Sequence, residues 1–411
     1  MGRNTRGDFW KFFTGQTISV LGSAFSGFAL PLLVFQLTHS AVSLAITTLT
    51  WALPHLVFGL FIGAWVDRVD RKRLMIVVDV LLALVMLTIP ALAITHHLNV
   101  YWVYAVQFVS SSLGLIFQQA EFTAIPSIAA GQDLVTANGR INASYRASEV
   151  TGPAIAGAIV SFVTVPALLV VDSISYVVSA ATLTWVRISF NKDDRKSRPT
   201  TRIMADIREG IRYVLSHPVL RNISLLMMAF NFVDSTFNAQ AVLYAKERLH
   251  TSNFELGLLF AAGSVGAIIF SLMAGWLRRH FSFSIVVIGC LSLTGLLTIA
   301  YSAIPWFWVA LPIFLARDGV ASLLNINTFS LRQAIVPNHM LGRVLSVAGL
   351  LAFSATPIGS LLGGYLIQRT GDVALIFAGV GVLLFALPLI FAFTALGHAD
   401  RYLPKPEPVS P

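Results

Sequence analysis

The sequence predicts an all-α membrane protein of twelve transmembrane helices in two pseudo-symmetric six-helix bundles, and three observations carry that prediction. Hydrophobic residues make up 56% of the 411-residue chain and charged residues only 11%, whereas a soluble domain averages about 25% charged. The apolar residues gather into runs of roughly 20, the length that a helix needs to cross a hydrocarbon core about 30 Å thick. The charged residues gather between those runs, with the cations on alternate connections.

By that ruler the first six spans lie near 10–36, 43–65, 73–95, 100–120, 139–163 and 166–187. The second six lie near 219–245, 254–277, 281–303, 305–330, 342–367 and 373–396. Arg3, Arg6 and Lys11 precede the first apolar run as they would in a signal peptide, but the run from Thr14 to Phe35 is too long for one and reads as a retained span. Of the 28 Lys and Arg, all but Lys246, Arg248, Arg317 and Arg369 fall at the two ends of the chain or around the connections after even-numbered spans. Cations concentrate on the cytoplasmic side of a membrane protein, so both termini are expected in the cytoplasm of a bacterial cell, with the chain threading its inner membrane.

The longest polar interval, Asn191 to Pro218, separates the halves and gives four regions: 1–190, a linker at 191–218, 219–397, and a cytoplasmic tail at 398–411. Within the linker, Ile203, Met204, Ile207, Ile211, Val214 and Leu215 recur at helical spacing opposite Arg202, Asp206, Arg208 and Arg212. That pattern predicts an amphipathic helix lying on the membrane surface, ended by His217-Pro218.

The halves echo one another. Gly63-Ala64-Trp65-Val66 at the end of span 2 recurs as Gly275-Trp276-Leu277-Arg278 at the end of span 8. Ile125-Pro126 recurs as Val336-Pro337, and Thr151-Gly152-Pro153 with Gly157 recurs as Ala355-Thr356-Pro357 with Gly359. Parallel repeats of this kind describe the two halves of a carrier.

Buried charge is costly enough in a membrane to mark candidate function. Glu149 lies about ten residues into span 5, Asp234 in the middle of span 7, and Arg317 and Asp318 in the middle of span 10. A carboxyl group that gains and loses a proton is what proton-coupled transport needs, in the order Asp234, Glu149, Asp318; the plainer alternative is a structural ion pair with Arg317. Asp79 in span 3 is expected to pair with the nearby basic loop, and Asp172 in span 6 to make structural hydrogen bonds beside Ser173 and Ser175. Gln16, Ser19, Ser23 and Ser26 mark one face of span 1. Gln107, Ser111, Gly114 and Gln118 do so in span 4, and Asn231, Asp234 and Asn238 in span 7. With Phe25, Phe117 and Phe237 these polar faces are expected to line a cavity suited to a bulky amphipathic or cationic molecule.

The string Gly63-Ala64-Trp65-Val66-Asp67-Arg68-Val69-Asp70-Arg71-Lys72-Arg73 resembles G-x-x-x-D-R-x-G-R-R/K, the signature between spans 2 and 3 of the major facilitator superfamily, with Asp70 in place of the second glycine. Gly152-Pro153-Ala154-Ile155-Ala156-Gly157 resembles the end of the span-5 signature of its antiporters, with Ala156 replacing one glycine. Val171-Asp172-Ser173-Ile174-Ser175-Tyr176, and Arg332-Gln333 followed by Val336-Pro337 and Gly342-Arg343-Val344-Leu345-Ser346, resemble the macrolide-efflux and enterobactin-exporter group. The resemblance implies a monomeric drug:proton antiporter of the cell membrane. It implies a cytoplasmic gate in which Asp67, with Gly63, Arg68, Arg71 and Lys72, meets the start of span 11 near Gly342, Arg343 and Ser346. It gives Gly152, Pro153, Gly157 and Pro357 a part in conformational switching, and it lines the central cavity with spans 1, 4, 7 and 10.

Other chemistry finds no support. The chain has no G-x-x-x-x-G-K-[ST] loop, and Gly263-Ser264-Val265-Gly266 inside an apolar run reads as close packing. It has no H-E-x-x-H, no nucleophile–base set and a single cysteine, Cys290, so no cofactor, metal or nucleic acid is expected; His55 reads as a packed or cavity-facing side chain. The sequence therefore points to an exporter of a hydrophobic or amphipathic small molecule that exchanges it for protons. The alternatives are a carrier for a defined metabolite such as a sugar, siderophore or lipid, and a non-transporting receptor or scaffold.

Overall fold

Without water to satisfy them, backbone N–H and C=O groups inside a bilayer must bond along the chain, and a helix does this within one segment. The computed structural model describes residues 2–66, 68–129, 133–191 and 203–397, apart from the side chains of 2–6, 60, 63, 64, 203–207, 338 and 339. The described residues are helical, with no strand. Ten helical segments are long and apolar enough to cross a membrane. The segments predicted as spans 5 and 7 are also helical but carry more polar residues.

The helices form two compact units, residues 1–200 with 245–261, and residues 201–244 with 262–411. The first contains α1 (Gly2–Thr38), α2 (Ala41–Val66), α3 (Arg71–Ile94), α4 (Val100–Ile128), α5 (Leu134–Ile159) and α6 (Val165–Trp185). In it α1 packs on α5 and α6, α3 on α4 and α6, and α2 on α4. The second contains α7 (Ile203–Ser216), α8 (Pro218–Ala239), most of α10 (Asn253–His280), α11 (Phe283–Ala303), α12 (Phe307–Ile335), α13 (Asn338–Ser354), α14 (Thr356–Thr370) and α15 (Val373–Ala392). There α11 packs on α12 and α15, and α8 on α13, α14 and α15. The short α9 (Ala241–Glu247) and the start of α10 supply the stretch 245–261 that belongs to the first unit.

Helix starts are set by short polar side chains that accept the orphan N–H groups of a first turn. Asp70 accepts from Arg73 N at 2.9 Å, Asn99 from Trp102 N at 3.0 Å, and Asp372 from Ala374 N and Leu375 N at 2.9 and 3.0 Å. The Asp70 carboxylate that replaces a signature glycine thus begins α3. Asp133 does the same for α5, and its bonds to the Thr136 hydroxyl and to the N–H groups of Thr136 and Val135 hold its carboxyl below the usual range.

Three expectations are corrected. Span 4 does not stop near residue 120, because α4 continues to Ile128. Spans 7 and 11 are each divided. The chain turns at Gln240, which lets the Tyr244 hydroxyl donate to the Tyr301 carbonyl at 2.7 Å. It turns again at Ala355, before Pro357, which lacks an N–H to continue the ladder. The amphipathic helix exists as α7, yet it does not rest on the membrane by its whole apolar stripe. Val214 is buried with Leu220, Val336, Met340, Val344 and Val347. A side chain at Gly210 would come within 3.1 Å of the Arg343 carbonyl, and Arg343 binds Glu209 at 2.6 Å. Ile211 and Leu215 remain exposed, so of the stripe residues whose side chains are described, Val214 is the one that fastens α7 to α13.

Close approach of helices in lipid depends on small residues. Gly157 of α5 lies against α10, where an added Cβ would stand 2.6 Å from the Asn253 carbonyl oxygen and 3.0 Å from Gly257 Cα. Gly152 lies against Ala24 of α1. Gly157→Ala is expected to cost about 1–3 kcal/mol by overpacking, measured as a lower melting temperature of the purified protein in detergent. Gly27→Ala, with nothing within 4 Å of its added Cβ, should melt close to the unsubstituted chain.

Candidate functional site

The polar stripe of α1 faces into the first unit. Gln16 Nε2 donates to the Tyr145 hydroxyl at 3.3 Å, and that hydroxyl donates to Glu121 Oε2 at 2.7 Å. Ser23 shares a hydrogen bond of 2.9 Å with the Tyr176 hydroxyl, and Ser26 donates to Asp172 Oδ2. Ser175 donates to the other Asp172 oxygen at 3.2 Å. Gly22 makes the α1–α6 contact possible, since a Cβ there would stand 2.7 Å from Asp172 Oδ1. Asp79 of α3 faces the Ser179 hydroxyl of α6, with neither carboxylate oxygen in a well-formed hydrogen bond. Asp79, Glu121 and Asp172 are all buried, and none of them forms an ion pair among the described residues.

The second unit treats buried charge in the opposite way. Arg317 of α12, 1% exposed, pairs with Asp234 of α8 and donates to Asp318 Oδ1 at 2.8 Å. Asn238 donates to the other Asp234 oxygen at 2.7 Å. The Arg317 guanidinium carbon lies 3.7 Å from the centre of the Phe237 ring, a cation–π contact. Phe237 packs in turn on Tyr301, Phe314 and Phe377. Gly263 of α10 leaves room for Asp318, whose Oδ2 would lie 2.6 Å from an added Cβ.

Other predicted residues fall as follows. Asp67 lies outside the described residues. Gly63 is in the last turns of α2 and Arg68 is exposed after it. Arg71 and Lys72 fasten the start of α3 to neighbouring chain ends: Arg71 Nη1 donates to the Thr123 and Phe190 carbonyls, each at 3.3 Å, and Lys72 Nζ to Val186 O at 2.6 Å. Gly342 and Ser346 are exposed on α13. Ser19 is buried, and Ser111 donates to the Trp51 carbonyl at 2.7 Å. Gln107 and Asn231 are half-buried, whereas Gln118 and Asn238 are exposed.

Several expectations need correction. Glu149 is not a buried charge; its side chain is 53% exposed and meets Arg146 at 2.7 Å, because it shares an exposed face of α5 with that cation one turn earlier. Asp79 does not pair with the basic loop, whose Arg71 and Lys72 turn to backbone carbonyls instead. Phe25, Phe117 and Phe237 are buried within their units and form no open wall. Glu121 and Tyr145 were missed as candidates. The signal was present as a carboxylate inside an apolar stretch that resumes through Ile128, one position past the presumed end of span 4.

Two helical units, apolar outside and with charge drawn into their interiors, define a polytopic membrane carrier. A profile described as transmembrane secretion effector matches residues 5–406, and the chain belongs to that family of major facilitator transporters. It is 27% identical over 396 residues to the multidrug efflux pump Tap of Mycolicibacterium fortuitum, covering 93% of this chain and 92% of that one. It is 27% identical over 371 residues to macrolide efflux protein A of Streptococcus pyogenes, covering 88% and 90%. Among solved structures, a bacterial homologue of the iron transporter ferroportin matches with a TM-score of 0.71 at 16% identity, covering 94% of this chain and 98% of the other. The nucleoside transporter NupG matches at 0.73 and 13%, covering 94% and 99%. These two likenesses concern the fold.

Arg317→Gln leaves the buried Asp234 and the half-buried Asp318 without their cation. It is expected to lower stability by about 3–5 kcal/mol, read as loss of folded protein on size-exclusion chromatography and a depressed melting temperature. Asp234→Asn keeps the Arg317–Asp318 pair and should lose less.

Proposed function

We propose that the protein exports a bulky amphipathic or cationic small molecule, such as a drug, macrolide or secondary metabolite, by alternating access in exchange for protons. The observation that carries this reading is the likeness, along nearly the whole chain, to two proteins named for efflux, a multidrug efflux pump and a macrolide efflux protein. Buried carboxylates inside apolar helices support the proton, and Gln118, exposed on α4, is a polar side chain open to a substrate. Cytoplasmic gating is assigned to Gly63, Asp67, Arg68, Arg71 and Lys72 in the first unit and to Gly342, Arg343 and Ser346 in the second. Switching is assigned to Gly152, Pro153, Gly157 and Pro357. Asp234 and Asp318 are assigned with Arg317 to a structural site in which one guanidinium serves two carboxylates. The chain works as a monomer in the bacterial inner membrane with both ends in the cytoplasm.

The test is ethidium and macrolide accumulation in energised cells that lack their main drug exporters. Expression should lower accumulation of one or both compounds several-fold, collapse of the proton gradient should restore it, and Asp67→Asn should reduce the effect. Unchanged accumulation of both compounds would shift the reading to a carrier for a defined metabolite.

A further inference from the structure

A carboxylate inside a membrane helix is costly unless donors, a cation or a proton neutralise it. Glu121 has one donor, the Tyr145 hydroxyl on Oε2, while its Oε1 is buried and has no partner. Gln16, at the other end of the same hydrogen-bonded chain, also has a buried Oε1 without a partner. Glu121 is 3% exposed and Gln16 is 5% exposed. The cluster therefore holds buried acceptors and too few hydrogens. A proton on Glu121 is the smallest ligand that supplies one.

The groups around Glu121 do not provide another answer. From α5 it faces Tyr145, while Arg146 and Glu149 of that helix pair with each other at the surface. From α3 it is within electrostatic reach of Asp79, a second buried carboxylate, and Arg71 at the start of α3 donates to backbone carbonyls. From α1 come Gln16 and, nearer its start, Asp8 and Lys11, which bind each other at 2.9 Å. On α2, His55 is exposed and its Nδ1 lies 3.2 Å from the Trp51 carbonyl. On α6, Asp172 and Tyr176 are matched by serine hydroxyls. With no cation paired to either among the described residues, Glu121 and Asp79 both ionised is the expensive state, and one proton relieves it. Gln118, one helical turn before Glu121, is exposed, so α4 is not sealed within the unit next to the carboxylate.

We propose that Glu121, oriented by Tyr145 and Gln16 and coupled to Asp79, is the site where the first unit binds and releases a proton during transport. This rests on the proton-exchange part of the export reading. The carboxylate takes one proton from water and returns it to water, with no change of oxidation state.

Infrared difference titration of the purified full-length protein reads the site without any substrate. The carbonyl absorption of protonated carboxyl groups should grow as pH falls, and one component of it should be lost in Glu121→Gln and persist in Glu149→Gln. Tyr145→Phe, which keeps the carboxylate, should displace the midpoint of that titration, whereas a hydroxyl with only a packing role would leave it in place. In inside-out vesicles, Glu121→Gln should abolish proton-driven ethidium accumulation and keep ethidium exchange. A titrating band unchanged in Glu121→Gln, or proton-driven accumulation that survives it, would overturn the proposal. If Glu121→Gln does not fold, Tyr145→Phe decides by the midpoint alone. Should the unsubstituted protein move neither ethidium nor a macrolide, the export reading falls and the infrared titration still decides the proton site.

Discussion

A polar group inside a hydrocarbon layer must find its partner within the protein, and both helical units are organised around that requirement. The second unit meets it with a cation. Arg317 binds two carboxylates and lies on Phe237, which packs in turn on Tyr301, Phe314 and Phe377. The first unit meets it with hydroxyls. Ser26 and Ser175 serve Asp172, Ser23 serves Tyr176, and Tyr145 serves Glu121. A guanidinium carries fixed charge at any pH of interest, whereas a carboxylate matched by few donors stays responsive to protons. The two units have the same apolar exterior and differ in what their interiors are able to exchange.

Helix packing follows from the same constraint. Polar side chains reach their partners only if backbones come close, and close approach falls to positions without a side chain. Gly22 admits Asp172 and Ser175 to α1, Gly263 admits Asp318 to α10, and Gly157 meets Gly257 across α5 and α10. Each of these glycines sits where an added Cβ would meet backbone or a carboxylate. They fix the distance at which the polar clusters assemble, and the clusters in turn fix which helix faces meet.

The helices themselves were legible because a bilayer demands runs of apolar residues that no loop shares. The Arg317–Asp318 pair and Asp234 were legible for the converse reason, as charges within such runs. Helix ends were not, because α4 leaves the apolar stretch without any break in helical character and so carries Glu121 past the point where hydropathy stops speaking. Periodicity placed Gln16, Ser19, Ser23 and Ser26 on one face of α1, but a stripe does not name its neighbour. Three of them turn inward to α5 and α6, where a cavity wall was expected. Glu149 shows the limit from the other side: its depth in a span was readable, and its orientation, shared with Arg146 one turn earlier, was not. The α7 stripe was readable as apolar, yet nothing in it announced that α13 would cover Val214.

Residues 245–261 pack with the first unit although α7 and α8, which precede them in the chain, belong to the second. A ribosome makes proteins from one end, so the order of synthesis and the order of assembly differ here. When α6 has emerged, Gly157 still has no Gly257 to meet, and the face of α5 that will touch α10 is uncovered. Two helices of the other unit must be made and held before the first unit is complete. Biogenesis of this chain therefore includes an interval in which an unfinished helical face waits for its final strip of sequence, and that interval is set by the topology of the fold.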